Sequence, residues 1–265
     1  MGCATGLLLA GATLGSVGTT AGSAAALSEY HAVRIPDPTP PGQRAGTVDT
    51  PWSSRNWSGY AITGATYTSV SASWTVPTVF PPARTRARQF SSTWVGIDGF
   101  NLGDDNLIQA GTEQDWIDGS ASYDAWWEIL PAFETRIDSI TVHPGDVMTV
   151  SITKGTPKWT IVVDDKTTGQ SFSQQEKYSA PLTSAEWIQE APTVGNHIAA
   201  LADDGTVTFD NLTANGADPE LTTDDSGVMA KKRGRVVIST PSSPNATQDG
   251  FAVAFGSTAP SPPAG

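Results

Sequence analysis

The chain has 265 residues, with 15 Lys and Arg against 27 Asp and Glu and a formal net charge of −12. That balance excludes nucleic acid and anionic membranes as partners, because both require a basic footprint. Nine Trp against three Met, with 26 Gly and 19 Pro, point to a turn-rich fold with broad aromatic surfaces and not to a helical bundle.

The first element is residues 6 to 26, "GLLLAGATLGSVGTTAGSAAA", a short apolar stretch ending in small residues with Ala24 and Ala26 as an A-x-A site. It reads as a secretory signal peptide over residues 1–26. The basic start of such a segment is missing, which points to a start codon placed too late. A membrane anchor is the alternative, but the run is rich in Gly and Thr. Cys3 lies within it, so the exported chain carries no cysteine and must be held together by its core alone. Residues 27–50, with "IPDPTPPGQRAGTVDT", are Pro-rich and polar and read as a propeptide or linker. A domain over 51–256 follows, and a Pro-rich tail over 257–265.

Within the domain the dominant signal is alternation. In "SVSASWTVP", Val70, Ala72, Trp74 and Val76 share one face and Ser69, Ser71, Ser73 and Thr75 the other, the pattern of a half-buried antiparallel strand. "VMTVSI", "KWTIVVDD", "TVTFDN" and "RVVIST" read alike and are separated by "HPGD", "KTTGQ" and "ADDG" turns. Many short strands with regular turns predict an all-β fold, a sandwich of two antiparallel sheets.

Strand parity then singles out polar residues that no core would accept. In "STWVGIDG", Trp94 falls on a face with Asp98 and opposite Val95 and Ile97. In "DDNLIQAGTEQDW", Gln109 shares a face with Leu107 and Gly111, where a neutral amide is unexpected. In "YDAWWEILP", Tyr123, Ala125, Trp127 and Ile129 can be core, whereas Asp124, Trp126 and Glu128 face the other way. Two strands that each present a Trp and a carboxylate on one side form a groove for an extended, partly apolar ligand. "PLTSAEWIQEAP" places Glu186, Ile188 and Glu190 on one face as a strand. A helix with a Thr183 to Glu186 capping box is the alternative, for which Pro181 and Pro192 leave little room. Trp74, Trp127 and Trp159 are assigned to the core. His31, His143 and His197 show no ligand spacing, no H-E-x-x-H or G-x-S-x-G occurs, and "DSG" at 225–227 stands alone after "TTDD". No metal or cofactor is expected. The basic clusters "RTRAR" and "KKRGR" read as solvated loop and edge-strand charges.

Taken in order, "NWSGYA" at 56–61, "WVGIDG" at 94–99, "NLIQAGTEQDW" at 106–116, "YDAWWEILP" at 123–131 and "SAEWIQE" at 184–190 resemble the glutamic peptidases, the eqolisin family of secreted acid endopeptidases. The resemblance spans residues 55 to 212 and thins beyond Leu212. The lack of cysteine after export departs from the fungal members and fits a bacterial-type relative.

The resemblance implies a lectin-like β-sandwich and a catalytic Gln and Glu. They fall on Gln109 and on Glu190, with Glu186 as the fallback. It also implies that Trp94, Trp126 and Glu128 line the substrate groove, and that Asp98 orients its neighbours. The chemistry suits these residue types. An ionised Glu takes a proton from the attacking water and returns it to the leaving amine, while a neutral amide donates to the oxyanion without the like-charge conflict of two close carboxylates.

The expected protein is a secreted, monomeric, metal-free and cofactor-free endopeptidase acting on polypeptides in acid, insensitive to pepstatin, with no nucleic-acid or membrane partner after export. Acid tolerance agrees with the composition, because few positive charges remain once the carboxylates neutralise. The rival readings are a carbohydrate-binding or glycoside-hydrolysing sandwich, in which Glu128 and Glu190 pair, and an inactive peptide-binding module. Glycoside hydrolysis has no use for the Gln109 amide.

Overall fold

The structure is a computed structural model that describes residues 1–2, 29–37, 50–84 and 86–265. The signal-peptide reading and most of the 27–50 reading therefore lie outside the described residues. Among those described there is no α-helix, and so none long and apolar enough to cross a membrane. In chain order the strands begin with β1 (Glu29–Tyr30), β2 (Trp52–Ser54), β3 (Trp57–Thr63), β4 (Ser69–Thr75), β5 (Ser92–Ile97) and β6 (Ile108–Ile117). They continue with β7 (Ser120–Ile129), β8 (Thr135–Arg136), β9 (Val147–Lys154), β10 (Trp159–Asp165), β11 (Ser171–Glu176) and β12 (Ser184–Glu190). The last are β13 (Thr193–Val194), β14 (His197–Ile198), β15 (Thr206–Ala214), β16 (Ser226–Lys231), β17 (Val236–Pro241) and β18 (Phe251–Phe255), with one 3₁₀ turn at Thr223–Asp225.

The ladder runs β11-β10-β9-β4-β15-β18-β17-β16-β3-β12-β5-β6-β7-β8. Apart from the parallel β2–β16 pair, its pairs are antiparallel. The path folds over on itself, so that β4 and β9 pack against β5 and β6 and make two layers. The expected sandwich is therefore observed. Between the layers lie Val70, Ala72 and Trp74 of β4, Val95 and Ile97 of β5, Met148, Val150 and Ile152 of β9, and Ala185 and Trp187 of β12. Two indoles bridge the layers: Trp74 Nε1 donates to Thr112 Oγ1 at 3.0 Å and Trp187 Nε1 to the Ser71 carbonyl at 2.9 Å.

The opposite face of β3-β12-β5-β6-β7 is the one that matters for function, and register fixes what it displays. Three rungs cross the five strands side by side. The first holds Trp57, Glu190, Ser92, Glu113 and Asp124. The second holds Gly59, Ile188, Trp94, Gly111 and Trp126, and the third Ala61, Glu186, Gly96, Gln109 and Glu128. A second apolar cluster forms here from Trp52, Trp57, Trp94, Leu107, Trp126 and Ile188. Gly111 makes room for it: a Cβ there would run into the Thr93 carbonyl oxygen and the Trp94 Cβ. Residues 181–192 are a strand from Ser184 to Glu190, buried on both faces, and the helical alternative is not realised. Trp74 and Trp159 are core as expected, while Trp127 is half-buried against the edge of the core.

Candidate active site

Strands β5, β6, β7 and β12 bring Trp94, Gln109, Trp126, Glu128 and Glu190 to one surface, all buried. Gln109 donates its amide to Glu128 Oε2 at 2.7 Å, a cross-strand pair set by the β6–β7 register. Glu190 is held from two sides: Trp94 Nε1 donates to Oε2 at 2.9 Å and Asn56 Nδ2 to Oε1 at 3.2 Å. Trp126 is anchored through Nε1 to Ser92 Oγ at 3.1 Å. Asp98 stands apart. The strand ends at Ile97, Asp98 turns away with φ of 73°, and its carboxylate accepts from the Thr183 N–H and the Tyr178 hydroxyl, both at 2.8 Å. Parity fails for Asp98 because it lies one residue past the strand.

The groove is occupied by the chain's own N-terminal segment, residues 29–37, of which β1 pairs with β13. Main-chain groups of this segment meet the site in succession. The His31 N–H donates to Glu128 Oε2 at 3.2 Å, and the His31 carbonyl accepts the Gln109 amide at 2.9 Å. The Ala32 carbonyl accepts Trp57 Nε1 at 3.0 Å, and the Asn56 amide lies 3.3 Å from the Ala32 and Val33 carbonyls. The His31 ring stacks on Trp126, and its Nδ1 lies 3.3 Å from Glu190 Oε2. One histidine residue thus touches both Gln109 and Glu190. Glu186 is buried as well, but neither of its oxygens has a hydrogen-bond partner.

Burial sets the electrostatics, as expected where charges are concentrated in a dry site. Glu128 is pushed up to about 8 by burial, the nearby His31 opposing. Asp124 rises to about 6 for the same reason, with Arg136 pulling the other way. Glu190 is raised by burial but held back by hydrogen bonds from His31, Trp94 and Asn56. Glu186 is raised well above the ordinary carboxylate range by burial, which the nearby Ser184 hydroxyl and Arg34 offset only in part. Glu113 is likewise raised by burial and by Asp115, with His31 opposing.

Some of these residues were not singled out as site residues from sequence. Glu113 shares strand parity with Gln109, so the same rule reaches it. Asn56 lies in the quoted "NWSGYA" stretch, in an N-x-S triplet that by itself reads as a glycosylation acceptor. It is fully buried with its amide engaged by Glu190, which leaves no room for a glycan. His31 had no local signal, because a polar residue in a Pro-rich stretch resembles any linker residue.

A groove floored by Trp, Gln and Glu on a two-layer sandwich, filled by an extended backbone, defines a protein that handles polypeptides. Residues 55–249 match the model of the Peptidase A4 family, and the chain belongs to that family, the eqolisin glutamic peptidases. It is 33% identical over 206 residues to aspergillopepsin-2 of Aspergillus niger, covering 69% of this chain and 72% of that one. It is also 33% identical over 140 residues to scytalidopepsin B of Scytalidium lignicola, covering 51% of each. Among solved structures, scytalido-glutamic peptidase with a transition-state analog inhibitor has a TM-score of 0.63 at 22% identity, over 76% of this chain and 98% of that one. Aspergilloglutamic peptidase from Aspergillus niger gives 0.53 at 28% identity, over 63% and 99%. The chain is therefore a glutamic peptidase. The match extends past Leu212, where the sequence resemblance thins, to take in β16 and β17, which continue the sheet beyond β3.

Proposed function

We propose that the chain is a secreted endopeptidase that hydrolyses polypeptides in acid with Gln109 and Glu190 as its catalytic pair. The observation that carries this reading is the backbone of residues 31–33, whose first carbonyl lies on the Gln109 amide while Glu190 lies beside the same residue. In turnover a substrate carbonyl takes the place of the His31 carbonyl. Glu190 removes a proton from a water, the water oxygen adds to the carbonyl carbon, and Gln109 donates to the oxyanion. Breaking the C–N bond then sends the proton from Glu190 to the amine.

Trp94 and Asn56 supply the donors that let Glu190 ionise despite its burial. Glu128 turns the Gln109 amide and holds the substrate N–H, whereas Asp98 braces the Thr183 loop ahead of β12. Above the acid range Asp124 and Glu128 ionise on the same face and repel one another and Glu190, which confines activity to acid. Residues 27–50 act as a propeptide, because residues 29–37 fill the groove and must leave before another polypeptide can enter.

The test is casein hydrolysis by the purified chain from pH 2 to 7, with and without pepstatin, an inhibitor of aspartic peptidases. Pepstatin-resistant cleavage confined to acid, preceded by a lag that ends as the N-terminal segment is lost, is the expected result. A folded chain freed of that segment and inert at every pH would refute the reading and leave a peptide-binding groove.

A further inference from the structure

The groove carries a side-chain position that the catalytic pair does not explain, and His31 fills it. The imidazole lies flat on the Trp126 indole, with ring centroids 3.7 Å apart and planes within 6°. Both ring nitrogens face carboxylates: Nδ1 is 3.3 Å from Glu190 Oε2, while Nε2 is 2.8 Å from Glu113 Oε1 and 3.0 Å from Glu134 Oε2. A neutral imidazole has one N–H, whereas an imidazolium has two and can donate to an ionised carboxylate at each end.

The charged groups around the ring come from every wall. Glu113 extends from β6, Asp124 and Glu128 from β7, Glu134 from the loop after β7, Glu190 from β12 and Glu29 from the segment itself. On the same wall Arg136 is exposed and pairs with Asp124 at 3.1 Å.

We propose that this position is a histidine-selective subsite: it receives the imidazolium of the substrate residue whose carbonyl oxygen lies on Gln109, an assignment that rests on the peptidase reading for its substrate. Selectivity follows from what other side chains leave undone. Glu113 is buried, no amide, hydroxyl or backbone N–H donates to either of its oxygens, and the Glu29 carboxyl that meets it belongs to the segment that a substrate replaces. Phe or Leu would leave that carboxyl unsatisfied, the costly half of a broken hydrogen bond. Lys brings one charged tip and no ring to stack on Trp126. An imidazolium meets both needs, since a cation over an indole face is itself favourable.

The test uses the full chain carrying His31→Ala, which empties the position, with 4-methylimidazole as a surrogate side chain and toluene as its apolar counterpart. Binding is followed by saturation-transfer NMR and calorimetry at pH 5, where a free imidazole is charged. The expected result is 4-methylimidazole binding at least ~10-fold tighter than toluene, a preference lost when Glu113→Gln is added. Equal affinity for both, or no binding of 4-methylimidazole, overturns the subsite. A parallel arm maps casein cleavage products by mass spectrometry: enrichment of His before the cut supports the subsite, and absence of enrichment among abundant cuts overturns it. If casein is not cut, the peptidase reading falls, and the 4-methylimidazole result alone decides the subsite.

Discussion

At the scale of single residues, the site separates groups that accept protons from one that cannot. The Gln109 amide keeps the same hydrogen-bonding capacity at every working pH, while the carboxyls around it titrate. Replacing it by Ala removes the oxyanion donor, and turnover of casein should fall at least ~10²-fold with the far-ultraviolet spectrum unchanged. A two- or three-fold loss would demote Gln109 to a bystander. Glu190→Gln keeps the shape and a hydrogen-bonding group while removing the base, so peptide hydrolysis should vanish from a folded protein. Ordinary activity in that variant would transfer the role to Glu186, whose carboxyl burial raises further and which has only the nearby Ser184 hydroxyl and Arg34 to help it ionise. Within single strands, parity put Gln109 with Leu107 and Gly111, Trp126 with Glu128, and Trp94 opposite Val95, because a strand has only two sides. The same rule failed at Asp98, where the backbone leaves the strand with positive φ.

At the scale of elements, the groove depends on registers that hold side chains from five strands on common rungs. Gly111 sits between Trp94 and Trp126 on its rung, and the space it leaves lets both indoles lie where Glu190 and the occupant need them. Gly111→Ala should overpack this point at a cost of about 1–3 kcal/mol. For a domain of this size that corresponds to a melting temperature lower by roughly 2–10 °C, read by calorimetry. An unchanged melting temperature would mean that the strands shift freely and that register does not set the site. The strand pairings themselves were not legible in the sequence: alternation gives the faces of "SVSASWTVP" and "YDAWWEILP" but not which strands adjoin. The N-terminal segment was legible only as a linker. Its attachment rests largely on main-chain groups meeting buried side chains far along the chain, such as His31 with Gln109 and Ala32 with Trp57, and such contacts leave no local periodicity.

At the scale of the whole molecule, the acidic composition and the buried carboxyls act in the same direction. Asp124 and Asp204 are raised by burial to about 6 and Glu128 to about 8, while Glu113, Asp115, Glu186 and Glu190 are also raised. A carboxyl whose pKa is higher in the folded chain than in the unfolded one binds more protons when folded. Stability therefore favours acid and is lost as pH rises through the folded values. His31, raised well above its ordinary value by Glu113, Glu134 and Glu190 against an opposing burial penalty, contributes with the same sign, fully below about 6.5 and less once its own proton leaves. Asp164 and Asp249 are lowered by hydrogen bonds, but both lie near the surface, half-buried, where those bonds are partly screened. Each pH unit between the unfolded and folded values costs up to about 1.4 kcal/mol per buried group, so the slope should be visible without mutation. Between pH 4 and pH 8 the melting temperature should fall by at least ~5 °C, and Glu128→Gln, which removes one of the titrating groups, should flatten the upper half of that decline. A melting temperature that is level or rises toward pH 8 would mean that the buried carboxyls are compensated in the folded chain, and acid activity would then need a cause other than the charge of the groove.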